Sequence, residues 1–342
     1  MKSLLNVKIA SAKAALLWLF VPAILVLTSC GRSYHQQTES YVLVASNIKL
    51  PYWVEATAGF KDVGREYGVR ATVVGPESYD PKQELDAFQK AVASKPSGIL
   101  LSPAQPKVFD ASINAAIQQG IPVITMDSDA PDSHRITFIG TNNQAAGAES
   151  GRRMAAALNG AGDVVIIWIP GQLNQQERLQ GAEEALGAFP RVKITEKLDD
   201  HGRTGDADDE ISNLLSHKQK IDGILCLEAS GGPGAAEVMY RLDLIGKIKI
   251  VAFDKSPETL DWISRGAIAG AIAQKPYTMA YYGLTFLDDL HHNAVRLFKD
   301  WRTAPVDPLP QRVDTGTAWI DTKNVAAFKA AIASYEQPLG AQ

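Results

Sequence analysis

Cysteine is scarce in this sequence, and basic residues do not outnumber acidic ones. Only Cys30 and Cys226 occur among 342 residues, so we expect no disulfide framework to stabilise the fold. Cys226 lies within an apolar run, which predicts a buried, unreactive thiol. Lys and Arg number 34 against 38 Asp and Glu, a net charge of −4, and this balance does not favour nucleic acid as a partner.

Catalytic and nucleotide-binding motifs are missing as well. The sequence contains no G-x-G-x-x-G, no G-x-x-x-x-G-K-[ST] and no G-x-S-x-G. Gly231-Gly-Pro-Gly234 predicts instead a loop that allows close approach to its backbone. His291 and His292 follow Asp288 at helical spacing, but without H-E-x-x-H we interpret them as a solvated helix face. We therefore expect neither an enzyme, nor a cofactor, nor a metal site.

One uncharged apolar run stands near the N-terminus. Residues 14–27 contain no charged side chain, and the segment before them carries lysines but no acid. This run of 14 residues is shorter than the roughly 18 to 20 that cross a bilayer as a helix. It therefore predicts a secretory signal peptide over residues 1–29, with an uncleaved signal anchor as the alternative.

The end of this run resembles a bacterial lipoprotein box. Small and apolar residues precede a cysteine in Leu27-Thr-Ser-Cys-Gly31. The resemblance implies cleavage before Cys30, lipid attachment at Cys30, and an exported protein anchored to a membrane and facing the periplasm or the cell exterior. Residues 30–40 are mainly polar and lack periodicity, which predicts a tether.

Beyond residue 40 the pattern alternates between strands and helices. Apolar runs of four to seven residues recur, as expected for strands covered on both faces of a sheet. Between them, apolar residues return at helical spacing, as in Ala56, Phe60 and Val63. The alternation predicts doubly wound α/β layers with parallel strands, and the length predicts two domains. The predicted strands are Tyr41–Ala45, Ala71–Val74, Gly98–Leu101, Pro122–Met126, Asp163–Ile169, Ile221–Leu227, Ile248–Phe253, Ile268–Ala273 and, near the C-terminus, Thr317–Ile320.

Seven strings that follow in order resemble the type I periplasmic sugar-binding proteins of the ribose-binding type. Together they cover about residues 41–305. The strings are Ser46-Asn47 with Pro51-Tyr52-Trp53, Gly98-Ile-Leu-Leu-Ser-Pro103, Gly120-Ile-Pro-Val-Ile-Thr-Met-Asp127, Gly140-Thr-Asn-Asn143 with Gly147, Glu177-Arg178, Ala252-Phe253-Asp254, and Ala271-Ile-Ala-Gln274.

The resemblance implies the type I periplasmic binding protein fold, in which two Rossmann-like, doubly wound lobes are joined by a hinge of three crossovers. The N-terminal lobe would comprise residues 41–142 and 275–305, and the C-terminal lobe residues 143–274 and 306–342. A monomer of this kind would close on a small sugar or polyol and deliver it to an ABC permease in the cytoplasmic membrane. The alternative is a sugar or autoinducer-type receptor that feeds a membrane signalling system.

The residues themselves support a sugar site. In open parallel sheets, ligands bind beyond the carboxyl ends of the strands, where several polar residues of the matching strings lie. Carboxylates accept sugar hydroxyls, an arginine donates, and aromatic rings cover C–H faces. Asn47 and Asp127 could instead cap turns, and Trp53 and Phe253 could be core residues. The predicted binding residues are Asn47, Tyr52, Trp53, Ser102, Asp127, Ser128, Arg178, Glu228, Phe253, Asp254 and Gln274.

Three departures from the ribose-binding pattern bear on the ligand. Asp127-Ser128-Asp129 replaces Asp-Arg, Glu228 replaces Asn, and Leu50 replaces the Asn before the Pro-aromatic pair. The acids would then outnumber the single Arg178, which is costly in a buried site unless Lys49, water or the ligand compensates. We therefore expect a polyol or another pentose or hexose rather than ribose, with a cationic sugar as the alternative. Asp127-Ser-Asp129 also resembles rhamnose-type and autoinducer-type binding proteins, so those ligands stay open.

Overall fold

The computed structural model describes residues 34–295 and 299–335. The predicted signal peptide, Cys30 and the first residues of the tether lie outside the described residues. The chain from Gln37 onward is one compact unit. None of the helices within the described ranges is long and apolar enough to cross a membrane.

Twelve strands are described, and every strand expected from the sequence is among them. The expectation missed three strands: the edge strand Arg191–Asp199, whose exposed and half-buried residues give no apolar run, and the three-residue strands Phe138–Gly140 and Arg312–Asp314. The strands are β1 Ser40–Val44, β2 Arg70–Val74, β3 Gly98–Leu101, β4 Val123–Met126, β5 Phe138–Gly140, β6 Ala161–Trp168, β7 Arg191–Asp199, β8 Gly223–Cys226, β9 Lys249–Phe253, β10 Gly270–Ala273, β11 Arg312–Asp314 and β12 Ala318–Ile320.

Local sequence sets where the helices begin. Five of the described helices start with proline, whose fixed φ suits the first helical turn and whose missing N–H costs no bond there. The helices are α1 Pro51–Tyr67, α2 Pro81–Ala93, α3 Pro106–Gln118, α4 Asn143–Ala157, α5 Leu173–Gly187, α6 Thr204–Ser216, α7 Gly231–Arg241, α8 Pro257–Ser264, α9 Pro276–His291 and α10 Val325–Tyr335, with a 3₁₀ turn at Trp301–Thr303.

The strands form two six-stranded sheets, in the orders β11-β5-β4-β3-β1-β2 and β12-β10-β9-β8-β6-β7. All neighbours are parallel except β10 and β12. Helices cover both faces of each sheet, and alternate strand residues enter opposite cores: Val164 and Ile166 face α4 and α5, whereas Val165 and Ile167 face α6 to α8. The predicted fold of two doubly wound α/β lobes is confirmed. Lobe 1 is the sheet that contains β1 with its helices, and lobe 2 is the other sheet with its helices.

The chain passes between the two sheets three times in the described residues, after β5, after β10 and after β11. The last passage corrects one predicted boundary. Residues 306–342 do not all belong to lobe 2, because β11 pairs with β5 at the edge of the lobe 1 sheet and only then does the chain continue to β12. The sequence did not indicate this pairing, because a three-residue strand such as β11 carries almost no periodicity.

Candidate functional site

Two aspartates occupy the same backbone position in the two lobes. Asp127 directly follows β4 and Asp254 directly follows β9, and both have a left-handed conformation, with φ of 63° and 65°. Each donates its backbone N–H to the neighbouring strand, Asp127 to the oxygen of Ile139 at 3.2 Å and Asp254 to that of Ile272 at 2.8 Å. Left-handed φ is uncommon outside glycine but is tolerated by Asp, and such residues concentrate at functional sites.

A cavity between the lobes brings these two residues together. Eight of the eleven predicted binding residues line it, namely Asn47, Tyr52, Trp53, Asp127, Arg178, Glu228, Asp254 and Gln274. The other lining residues are Ser46, Leu50, Tyr79, Ile169, Gln172, Asn174, Gln175, Gly202 and Ala229. The cavity therefore combines acceptors, amides and one guanidinium with aromatic side chains.

Hydroxyl groups of lobe 1 hold the carboxylate of Asp127. The Tyr52 hydroxyl donates to Oδ1 at 3.0 Å, and the Ser102 hydroxyl donates to Oδ2 at 3.1 Å. Burial raises the pKa of Asp127, and the nearby Arg178 opposes that rise. Burial and Asp127 also raise the pKa of Tyr52, so its hydroxyl remains a donor. Ser102 does not line the cavity; it orients a residue that does.

Arg178 is fixed from three directions. Its Nε donates to Oδ1 of Asn143 at 2.9 Å, one terminal nitrogen donates to the oxygen of Leu227 at 2.8 Å, and the other to Oε1 of Gln274 at 2.7 Å. The guanidinium also stacks on the ring of Phe253, with Cζ 4.6 Å from the centroid. Since a guanidinium has five N–H bonds, two remain for other acceptors.

Close helix packing positions Arg178. A Cβ on Gly147 of α4 would lie 2.0 Å from the backbone oxygen of Arg178, and one on Gly181 of α5 would lie 2.0 Å from the oxygen of Gln144. Only glycine permits this approach of α4 and α5. Gly147 therefore lets α4 pack directly against the backbone of α5 at Arg178.

Gln274 links Asp254 of lobe 2 to Thr141, which lies at the first crossing between the lobes. Its Nε2 donates to Oδ1 of Asp254 at 2.9 Å, and its Oε1 accepts from both Arg178 and the hydroxyl of Thr141, the latter at 3.0 Å. Burial raises the pKa of Asp254, while Arg178 and Gln274 oppose the rise. Thr141 and Gln274 stand at two of the three crossings, so the site and the crossings share one hydrogen-bond network.

Glu228 is held at the amino end of α7. The backbone N–H groups of Ser230 and Gly231 both donate to its carboxylate. Asp200 is fully buried next to it, and burial together with the charge of Glu228 raises the pKa of Asp200 to about 10. Asp200 is therefore neutral at neutral pH, which reduces the negative charge of this corner. The predicted loop at Gly231–Gly234 is instead the first turn of α7, although its glycines do permit close approach, as Gly234 does to the Thr204 backbone.

An ion pair links the two lobes beside the cavity. Lys255, directly after Asp254 in lobe 2, donates its Nζ to Oε2 of Glu55 on α1 at 2.5 Å, and both side chains are only 11–12% exposed. The same Nζ reaches the backbone oxygen of Gln274 at 3.1 Å. Lys49, which we considered as a compensating cation, instead pairs with Glu77 at the surface. Lys255 supplies the cation that the sequence analysis did not identify.

Three predicted binding residues do not line the cavity. Ser102 supports Asp127, Ser128 is buried and its hydroxyl has no hydrogen-bonding partner among the described residues, and Phe253 lies beneath Arg178 within the lobe 2 core. The expectation that Phe253 stacks on a ligand is therefore corrected. As the last residue of a buried strand, its side chain turns to the face that packs on α4 and α5.

Five polar residues of the cavity were missed. They are Ser46, Tyr79, Gln172, Asn174 and Gln175. Ser46 lies just after β1, Tyr79 lies in the segment after β2, and the other three lie in or at the start of α5, after β6. Since ligands bind beyond the carboxyl ends of parallel strands, applying that rule to β2 and β6 would have found the last four. The Oε1 atom of Gln175 is buried without a hydrogen-bonding partner among the described residues, so it is an acceptor available to a bound molecule.

Comparisons with known proteins agree with this arrangement. A family model described as "Periplasmic binding protein domain" matches residues 41–293. The D-allose-binding periplasmic protein of Escherichia coli K12 is 23% identical over 281 residues, covering 79% of this chain and 88% of its own length.

Two solved structures extend the comparison. A sugar-binding protein of a sugar ABC transporter from Bacillus halodurans superposes with a TM-score of 0.76 at 34% identity, over 85% of this chain and all of its own. An ABC transporter solute-binding protein from Burkholderia graminis, solved with D-arabinose, has a TM-score of 0.78 at 27% identity, over 85% of this chain and 98% of its own.

Proposed function

Because the chain belongs to the type I periplasmic sugar-binding proteins, a family of substrate-binding proteins rather than enzymes, we propose that it captures a sugar or polyol between its lobes and delivers it to an ABC importer. The observation that carries the proposal is the pairing of Asp127 and Asp254, which reach one cavity from equivalent strand ends of opposite lobes. A small polyhydroxylated molecule fits this pair, since each carboxylate can accept two hydroxyl groups.

A neutral ligand is the main expectation, with a cationic sugar as the alternative. Arg178 favours the charged forms of Asp127 and Asp254, but Lys255 is already paired with Glu55, so three acids still face one arginine. Hydrogen bonds stabilise these acids instead: Tyr52 and Ser102 donate to Asp127, Gln274 donates to Asp254, and two backbone N–H groups donate to Glu228. In this proposal Tyr52 and Trp53 cover C–H faces of the ligand, Asn47, Glu228, Gln274 and Arg178 bind its oxygens or hydroxyls, and Ser102 and Phe253 act through Asp127 and Arg178.

We propose that the lobes move as bodies about the three crossings. Lobe 1 comprises residues 41–142, 275–295 and 299–314, and lobe 2 comprises residues 143–274 and 318–335. The Glu55–Lys255 pair can form only while the lobes are close, so the described arrangement has the features of the closed form. An importer would recognise this form because closure fixes the position of the two lobe surfaces relative to each other.

We also propose, from the sequence alone, that the chain is exported, cleaved before Cys30, anchored by lipid and active as a monomer. Lipid anchoring is tested by Cys30→Ser, which should move the protein from the membrane fraction to the soluble fraction. Continued membrane retention would indicate an uncleaved signal anchor instead.

Calorimetric titration tests the ligand class. A panel of pentoses, hexoses, polyols and amino sugars, with D-arabinose and D-allose included, should yield one ligand that binds with one-to-one stoichiometry. Absence of binding to every compound of the panel would contradict the proposal. Uptake of that ligand, labelled, should be lost in cells that lack the protein; normal uptake with intact binding would favour the signalling alternative.

A further inference from the structure

The pair His291 and His292 lies in a different setting from the solvated helix face expected from the sequence. Both stand at the carboxyl end of α9, and the side chain of His292 is only 15% exposed. Glu39, which directly precedes β1 and is 6% exposed, comes from 253 residues away to meet them. The interpretation of these histidines as a solvated face is therefore wrong for His292.

The ligand-type atoms of this cluster lie close together. One oxygen of Glu39 and one ring nitrogen each of His291 and His292 all lie within 4.8 Å of one another. Oε2 of Glu39 is 3.3 Å from Nε2 of His292, and Oδ1 of Asp288 is 3.5 Å from the same nitrogen. In a tetrahedral zinc site with bonds of about 2.0 to 2.2 Å, neighbouring ligand atoms are separated by roughly 3.3 Å.

We propose that Glu39, His291 and His292 bind one divalent transition-metal ion of the Zn²⁺ type, with Asp288 as an additional carboxylate at the site. Two imidazoles and a carboxylate are a donor set that zinc and its neighbours prefer over Mg²⁺ or Ca²⁺. The Tyr41 hydroxyl donates to Oδ1 of Asp288 at 2.8 Å and so fixes that carboxylate.

The position of the cluster separates it from the sugar cavity. Glu39 precedes the amino end of β1, whereas the cavity lies beyond the carboxyl ends of the strands. Metal binding would join Glu39, which lies at the end of the predicted tether directly before β1, to the end of α9. Its expected consequence is a more stable lobe 1, because a ligand that binds only the folded state raises stability.

Zinc titration of the purified protein, without a polyhistidine tag and after chelator treatment, tests the site. We expect one Zn²⁺ per chain, at least tenfold weaker binding in Glu39→Gln, and no binding in a His291→Ala, His292→Ala double variant. The matched control is His201→Ala, which removes the exposed histidine beside Asp199 and Asp206 and should leave zinc binding unchanged.

Three results would overturn the proposal: no zinc bound by the unchanged protein, binding that survives in the double variant, or binding lost only in His201→Ala. Glu39→Gln keeps size and removes charge, so it remains informative if the double variant does not fold. Visible absorption after Co²⁺ loading gives an independent readout, because tetrahedral and octahedral cobalt differ in band intensity. Sugar binding, where it is found, should not change in any of these variants.

Discussion

The two lobes present an aspartate at the same point of the same topology, but they hold it by different means. In lobe 1, hydroxyl groups of Tyr52 and Ser102 fix Asp127. In lobe 2, an amide from a crossing fixes Asp254, and that amide also accepts from Arg178. The repeated strand order therefore sets the position of the aspartate in each lobe. The side chains around the two aspartates determine which lobe supplies the positive charge, and here lobe 2 supplies it through Arg178.

Removal of the Arg178 guanidinium should have the largest effect on sugar affinity. Arg178→Met leaves the oxygens of Asn143, Leu227 and Gln274 without their donor, so we expect about 30-fold or greater loss of sugar affinity and a stability loss of about 3–5 kcal/mol. Calorimetry and urea unfolding measure the two effects. Arg265→Met is the control, since that arginine stacks on Trp262 at the lobe 2 surface. Unchanged affinity in Arg178→Met would remove this residue from the site.

A matched pair of variants compares the lobes directly. Asp127→Asn and Asp254→Asn should each lower sugar affinity by about tenfold or more, because each loses a charged acceptor. Stability should stay the same or rise, since burial raises the pKa of both carboxyls and the change removes a buried charge. Asp243→Asn is the control, as an exposed aspartate that also has positive φ. If only one of the two variants weakens binding, the lobes do not share the ligand as proposed.

The ion pair between the lobes should have an intermediate effect. Lys255→Met leaves Glu55 buried without its cation in the closed form only, so affinity should fall on the order of tenfold through faster ligand release. Stopped-flow dissociation measures this rate. Combining Lys255→Met with Glu55→Gln should recover part of the lost sugar affinity, because the double variant no longer buries an unpaired carboxylate. Lys90→Met breaks the exposed pair with Asp86 in lobe 1 and should change nothing. An additive double variant would argue against coupling of the pair.

The smallest effect on sugar affinity is expected for Asp200→Asn, whose effect on stability depends on pH. With its pKa raised to about 10, Asp200 keeps a proton in the folded state that the unfolded state releases above about pH 4. The proton held by Asp200 therefore contributes fully to the free energy of unfolding below about pH 4, and this contribution is lost progressively as the pH rises to about 10. The amide introduced by Asp200→Asn does not titrate. The urea concentration at the unfolding midpoint of this variant should therefore rise relative to that of the unchanged protein as the pH increases from 6 to about 9.5. A constant difference between the two proteins would show that Asp200 is ionised.

Much of the fold followed from the sequence because buried parallel strands are apolar on both faces. The runs at Gly98–Leu101 and Gly223–Cys226 carry that pattern without interruption. β5, β7 and β11 did not follow, because the edge strand β7 needs no apolar face, and β5 and β11 have only three residues each and therefore no period. The cavity was predictable where a polar residue directly follows a strand, as at Asp127 and Asp254. Tyr79 and Gln175 were missed because they lie further along their connections.

The sequence by itself determined the alternation of strands and helices, hence two doubly wound lobes, and the presence of aspartates at matching strand ends, because these depend on local periodicity and on residues next to a strand. The tertiary structure decided how the charges pair. Lys255 meets Glu55, Asp200 loses its charge beside Glu228, and Phe253 supports Arg178 from the core. These contacts join residues on different strands, helices or lobes, and their energies depend on burial and distance, which no spacing along the chain encodes.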